Sequence, residues 1–422
     1  MTLGIFVKRS IDILDVQRSF PGRQEQRGSE VVLPLQGIRV VALEHAVAGP
    51  LCTRHLADLG AEVIKIERPG EGDFARGYDS FVLGLSGYFV WLNRGKKSVS
   101  MDIKHPGAGP VLERLVAGAD VVVQNLAPGA ARRAGLSYET LRRNNPRIVV
   151  VDISGYGESG PFAQKKAYDM LIQAESGVIS VTGSEEQPSR VGVSLVDMAT
   201  GLYAHSGAVA ALLRRERMGE GSNVKVAMLD AMAEWMTYPL YRYGYGGSLV
   251  ERLPLTHPVI TPYGAFATKD GQVVFSIQNE REWASFCREV LKRPEICQDP
   301  RFSNNSARRD NAAALQAIIE AAFSDKTATE TAQLLDSAGI ANGRLNDGRG
   351  LWEHQQLRER NRWREVNTAN GPIKALLPPF TFSEFDAVMG DVPMLGEHTR
   401  TVLTELGFHP EEIDDLKIAG AI

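Results

Sequence analysis

The chain has 422 residues, 43% of them hydrophobic and 23% charged, which is enough for two or three domains and a sizeable core. A formal net charge of −4 leaves no global positive field and so excludes a protein that holds nucleic acid by bulk charge. Cys52, Cys287 and Cys297 are too few and too widely spaced for a disulfide framework or a paired-cysteine zinc site, and no apolar run approaches the roughly 20 residues that span a bilayer. The expectation is a cytoplasmic protein with no metal and no membrane partner.

Residues 1–33 mix Lys8, Arg9, Arg18, Arg23 and Arg27 with Asp12, Asp15, Glu25 and Glu30. That is neither a signal peptide nor an acid-poor transit peptide, and the segment is expected to be a flexible leader. Folding patterns then begin. Residues 38–43 (IRVVAL) form the continuous apolar run of a strand buried on both faces. The run PLCTRHLADLG follows as a helix, with Pro50 in its first turn, an apolar stripe of Leu51, Leu56 and Leu59, and Gly60 to end it. Strands are expected at 62–66, 120–124 and 148–153, with helices at 107–117 and 138–143. This alternation predicts an α/β protein with a mostly parallel, doubly wound sheet.

A long helix is expected to start at Asp197, carried by Met198, Leu202, Val209 and Leu213. From Trp235 the composition turns to Tyr and Gly, and residues 231–250 are expected as a linker. A smaller domain is expected over 251–350, with a strand at 273–277. Residues 351–422 are expected to return to the large domain of 34–230.

A dinucleotide dehydrogenase requires G-x-G-x-x-G after the first strand, and the turn here reads EHAVAGP. Walker A, G-x-S-x-G and H-E-x-x-H patterns are absent as well. What remains is polar residues at strand ends, where open α/β sheets bind ligands: Arg68, Asn125, Gly155 and Tyr156. They point to a phosphate-bearing ligand, although any one arginine is more often a solvated surface cation. Asp197 stands before the long helix as an N-cap, and a carboxylate there is expected to be ionised and nucleophilic. Taken alone, such a residue is more often a structural cap only.

Several motifs in one order carry a resemblance: AGPLCTRHLADLGAEVIKIERPGEGD (48–73), NRGKKSVSMDIKHPGA (93–108), VVQNLAPGAARRAGL (122–136), NPRIVVVDISGYGESGP (145–161) and LVDMATGLYA (195–204). Together they resemble the family III CoA-transferases, the formyl-CoA and carnitine CoA-transferase group that also contains α-methylacyl-CoA racemase. The resemblance runs from about residue 35 to the LGEHT motif at 395–399. It implies a Rossmann-like large domain, a small α+β domain, an interlocked homodimer, and CoA transfer between acids with no tightly bound cofactor and coenzyme A as a substrate moiety.

The same resemblance makes Asp197 the nucleophile. It places adenosine and phosphate contacts at Arg68, at Met101, Asp102, Ile103 and Lys104, at Asn125, Leu126 and Ala127, at Arg133, and at Lys166, Ala167, Tyr168 and Asp169. Val47 and Ala48 are expected along the pantetheine, with Val47 standing where the family often has glutamine. The partners implied are an acyl-CoA and a small carboxylic acid. Arg242, His257 and the tyrosines of 238–245 hint at an acidic substrate, and the runs VKVAMLDAMAEWM (224–236) and THPVITPYGAF (256–266) resemble family members that act on short dicarboxylates, which implies succinyl-CoA as donor and itaconate, mesaconate or citramalate as acceptor.

Two alternatives remain. A racemase needs two matched bases, and its histidine position is filled here by Tyr168, a poor base with an ordinary pKa of about 10. A CoA-binding protein without catalysis would have no use for a nucleophile at position 197.

Overall fold

The computed structural model describes residues 32–422, so the expected leader lies outside the described residues apart from Val32 and Leu33. From there strand and helix alternate as β1 (Arg39–Leu43), α1 (Ala48–Asp58), β2 (Glu62–Glu67), α2 (Gly87–Asn93), β3 (Lys96–Ser100), α3 (Ala108–Ala117) and β4 (Val121–Gln124). They continue as α4 (Ala130–Arg133), α5 (Tyr138–Asn144), β5 (Val149–Ser154), α6 (Asp169–Glu175), α7 (Leu195–Met218) and β6 (Ser222–Ala227). The six strands are all parallel, in the order β3-β2-β1-β4-β5-β6. The edge strands β3 (KKSVS) and β6 (SNVKVA) escaped the sequence analysis because each pairs on one side only and carries polar residues where the central strands carry valine.

Alternation along the strands divides the apolar residues between two faces. Val41, Leu43, Ile64, Val122 and Val150 pack against Val111 and Leu115 of α3, Leu141 of α5, and Val402, Leu403 and Ile413 near the C-terminus. Val40, Ala42, Val63, Val123 and Val151 pack against Cys52 and Leu56 of α1 and Ala204, Ala208 and Leu212 of α7. The C-terminal helices Thr399–Glu405 and Pro410–Ile418 thus return to the large sheet.

Helix α7 begins at Leu195, two residues before the expected start. Its buried face is not the large-residue stripe: Leu202 and Leu213 are exposed, while Ala199, Gly201, Ala204, Ala208 and Ala211 are buried. Small residues win because α7 crosses α1 closely. A Cβ on Gly201 would stand 2.7 Å from the Ala48 carbonyl oxygen and 3.0 Å from Leu51 Cβ.

The stretch expected as a linker is mostly helical, as α8 (Met228–Trp235) and α9 (Thr237–Gly246). Aromatic and apolar residues continue the helix until Gly247, at φ 65°, ends it. A separate core gathers Phe266, Val273, Phe275, Trp283, Phe302, Ile319 and Ile340 around an antiparallel sheet of β7 (Tyr263–Ala267), β8 (Gln272–Ser276) and β9 (Asn342–Arg344). A hairpin of β10 (Trp363–Thr368) and β11 (Gly371–Leu376) follows. No helix of the described residues is long and apolar enough to cross a membrane.

Gly201→Ala should lower stability by about 1–3 kcal/mol. Alanine gains roughly 1 kcal/mol of helix propensity over glycine. The contact it must displace, however, is a backbone carbonyl that cannot rotate away. Denaturant unfolding checks this, and an unchanged or raised midpoint would show that α1 and α7 can separate freely.

Candidate active site

Strand order reverses between β1 and β4, and the chain leaves the two strands in opposite directions there, opening a crevice at their C-terminal ends. The β1–α1 turn that borders it is held from several sides. Asn125, just after β4, accepts from the His45 amide at 2.9 Å and donates to the His45 carbonyl at 2.9 Å. Ala46 takes a left-handed φ of 61°, and its amide donates to Asp73 Oδ1 at 3.1 Å. Gly49 is needed next, since a Cβ there would meet Glu44 Cβ at 2.9 Å.

Beneath the turn lies a buried charged network. Lys96 Nζ donates to Glu44 Oε1 at 2.7 Å, the Pro50 carbonyl at 3.0 Å and Asn93 Oδ1 at 3.0 Å, which uses all three ammonium protons. Lys65 Nζ donates to Asp73 Oδ2 at 2.8 Å and the Glu44 carbonyl at 3.2 Å. Arg76 and Ser98 hold Glu67. Burial opposes the charges of Glu44 and Asp73, but the lysines beside them hold both below the ordinary carboxylate range. Burial pushes Lys96 down to about 8, so it remains mainly protonated at neutral pH.

A cleft of about 980 Å³ opens above these strand ends. Arg68, Met101, Asp102, Ile103, Lys104, Asn125, Leu126, Ala127, Lys166, Ala167 and Tyr168 all line it. Lys104 and Lys166 are exposed and have no ion-pair partner among the described residues, whereas Arg68 pairs with Glu71 at 3.2 Å. The roles expected for several residues change. The Met101 side chain is buried in the core, the Asn125 amide is occupied by His45, and Asp102 Oδ1 accepts from the Lys104 amide, shaping its own loop.

Arg132, not Arg133, lines the cleft, because the four-residue helix α4 turns neighbouring side chains in different directions. Val47 and Ala48 are buried, Val47 against Leu51, Leu92 and Met198, so their side chains are closed to a ligand. Arg242 bonds Ser248, and His257 Nδ1 accepts from the Val259 and Ile260 amides; neither lines the cleft. Sequence reasoning missed His45, Phe74, Arg132, Lys165 and Lys225 as lining residues. His45 carried a signal, since it directly follows the first strand.

From His45 an aromatic row leads away from the cleft: Phe74 stacks on the imidazole at 5.2 Å, Tyr78 follows at 5.8 Å and Tyr88 at 5.6 Å. The Tyr88 hydroxyl lies 3.4 Å from Ser194 Oγ, at the start of α7. Burial, with the charges of Asp73 and Asp197, pushes Tyr78 up to about 12.

Asp197 itself is not the N-cap. Ser194 holds that position, and Asp197 lies in the first turn. Its carboxyl is pushed up to about 7, first by burial and then by the neighbouring Asp169. A helix N-terminus favours an anion by only about 0.3–1 kcal/mol, less than one pKa unit, so burial beside a second carboxylate overrides the expected full ionisation. Asp169 is no free ligand contact either, since Oδ2 accepts from the Val196 and Asp197 amides at 2.8 and 3.3 Å.

Because the folded pKa of Asp197 lies above that of a free aspartate, its contribution to stability is intact below about pH 4 and is lost as pH rises through about 7. Asp197→Asn should therefore raise the melting temperature at pH 8 and change it little at pH 4. Equal effects at both pH values in thermal melts would contradict the raised pKa.

Comparison with known proteins identifies the family. The family model for CoA-transferase family III matches residues 35–399. The mouse (Mus musculus) succinyl-CoA:glutarate CoA-transferase is 35% identical over 94% of this chain and 92% of its own, and the Acetobacter aceti acetyl-CoA:oxalate CoA-transferase is 37% identical over 74% and 81%. The crystal structure of a CAIB/BAIF family protein from Brucella suis superposes with a TM-score of 0.79 at 32% identity, covering 89% of this chain and 99% of that one. The chain belongs to CoA-transferase family III and is an enzyme of that family.

Proposed function

We propose that the protein moves CoA from succinyl-CoA, or a related short dicarboxyl-CoA, to a C4 or C5 dicarboxylic acid such as itaconate, mesaconate or citramalate, with Asp197 as nucleophile. The observation that carries this reading is the position of Asp197: a half-buried carboxyl in the first turn of a 24-residue helix, outside the cleft lining itself, with its amide bonded to Asp169, the residue after the cleft-lining Tyr168. The two relatives named above both act on a dicarboxylate, glutarate or oxalate, which supports that acceptor class.

The ionised carboxylate attacks the thioester carbonyl, the C–S bond breaks, and CoA leaves as thiolate, giving an acyl-aspartyl anhydride. Thiolate attack on the aspartyl carbonyl then releases the donor acid and leaves an aspartyl-CoA thioester. The acceptor carboxylate displaces CoA from it as a second anhydride, and thiolate attack on the acceptor carbonyl forms the new acyl-CoA and restores Asp197. Each step exchanges one acyl bond for another, so no oxidant or reductant is needed. Lys104, Lys166 and Arg132 would hold the phosphates of the CoA moiety.

The racemase alternative needs a second base next to the substrate carbon. At the position where the racemase pattern has its histidine this chain has Tyr168, which is exposed, and the neighbouring Asp169 is occupied by α7, so neither is a suitable second base. The same reading includes an interlocked homodimer, supported by large apolar side chains left exposed on α7 and α9, among them Leu202, Leu213, Leu240, Tyr241 and Tyr245. Sedimentation equilibrium tests it, and a stable monomer at micromolar concentration would reject it.

Incubation with succinyl-CoA should leave a CoA adduct on Asp197, seen by peptide mass spectrometry, and Asp197→Ala should lose transfer while still binding CoA. In the wild type, kcat/KM should rise with pH and level off above about 7, as the nucleophile ionises. Lys104→Ala should raise the KM for acyl-CoA with kcat nearly unchanged, as loss of uniform binding requires. Retention of more than a few per cent of activity in Asp197→Ala would sink the nucleophile assignment. Preference for a monocarboxylic acid across a substrate panel would reject the dicarboxylate alone.

A further inference from the structure

The first turn of α7 has no local cap. Ser194 stands at the N-cap without a side-chain bond to the helix, although serine is well suited to make one. The cap comes from 28 residues away in sequence. Asp169, the first residue of α6, directs Oδ2 to the amides of Val196 and of Asp197 itself. Its other oxygen accepts from Gln173 Nε2 at 2.7 Å, and the fully buried Gln173 is fixed in turn by accepting from the Val191 amide at 2.9 Å. Both carboxylate oxygens are therefore already bonded to protein.

We propose that Asp169 is a positioning residue that acts on the reaction through Asp197: its carboxyl group fixes the first turn of α7 and stands beside the nucleophile. The inference rests on Asp197 being the nucleophile. The other groups on the elements packed around Asp197 are phenols and apolar side chains. From the loop before α2 and from α2 come the phenols of Tyr78 and Tyr88, from α6 the phenol of Tyr168, and from α1 and α2 the apolar Val47, Leu51 and Leu92 beside Met198. Burial raises the Asp197 pKa most, and Asp169 is the charged group that adds to the shift.

The chemical consequence concerns the ground state as much as the pH profile. Free Asp197 carries a charge that Asp169 repels. In the anhydride and in the aspartyl-CoA thioester the same side chain is acylated and neutral, so forming either intermediate relieves the repulsion. A carboxylate kept basic in this way is also a stronger nucleophile toward a thioester.

The test is Asp169→Asn, which keeps an oxygen for the α7 amides and removes the charge, with Asp169→Ser as a second uncharged variant and Asp169→Glu as the charge-retaining one. Uncharged variants should move the rising limb of kcat/KM toward acid by roughly one pH unit, and lower the equilibrium ratio of Asp197–CoA adduct to free enzyme about tenfold at pH 8. The KM for acyl-CoA should stay near wild type, and Asp169→Glu should keep the wild-type limb. A limb that stays in place in the uncharged variants, or a raised KM as their only effect, overturns the assignment and returns Asp169 to a CoA contact or a purely structural cap. That result is distinct from failure of the nucleophile reading, which would appear as a wild-type enzyme with no adduct on Asp197.

Discussion

Six charges share one buried site under the β1–α1 turn: Glu44, Glu67 and Asp73 against Lys65, Lys96 and Arg76. They balance in sign. Removing one member of such a set leaves an uncompensated buried charge and typically costs about 3–5 kcal/mol, whereas the intact set is close to neutral for stability. Its effect is positional. Lys96 ties β3 to α1 and α2 through Glu44, Pro50 and Asn93, Lys65 ties β2 to the loop at Asp73, and Asp73 holds Ala46 in its left-handed conformation. The turn at the bottom of the cleft is therefore set by electrostatics where a dinucleotide-binding protein would use glycines.

The α7 end of the site depends on the same turn. Helix α1 starts at Ala48, and its carbonyl limits how closely Gly201 of α7 can approach. Val47 reaches the side of Met198 through a small buried cluster with Leu51 and Leu92. Asp197 is thus located by packing against α1 on one side and by Asp169 of α6 on the other, while the aromatic row from His45 to Tyr88 spans the distance to the cleft. With its pKa raised to about 7, the carboxyl lies near the midpoint of its titration at neutral pH, so the protonated and ionised forms both occur there.

A second cavity, of about 960 Å³, lies between α2 and the β10–β11 hairpin. Its wall combines Trp91, Trp352 and Trp363 with Arg54, Arg94, Arg360, Arg362 and Lys374. It lies away from the strand ends, and Asp58 already holds Arg94 from beneath at 2.7 Å. Arg54 and Arg94 in its wall come from two of the motifs quoted above, whereas the motif stretches at 122–136 and 145–161 contribute to the strand-end cleft.

Sequence alone determined the central strands, because continuous valine runs have no comparable solution other than burial on both faces of a parallel sheet. It also determined the order of the motifs, and so the family and the residue at position 197. Edge strands β3 and β6 were illegible, since a strand paired on one side tolerates polar residues that break the apolar signal. Tertiary structure decided the state and surroundings of the carboxyl. Asp197 reads as an ionised cap when only its helix is considered; burial and Asp169, 28 residues away, raise its pKa instead. Likewise Asn125 and Asp169 look like ligand contacts in their motifs, yet their hydrogen bonds go to His45 and α7. Hydrogen-bond partners and local dielectric are set by whichever segments fold against a residue, and spacing along the chain does not encode them.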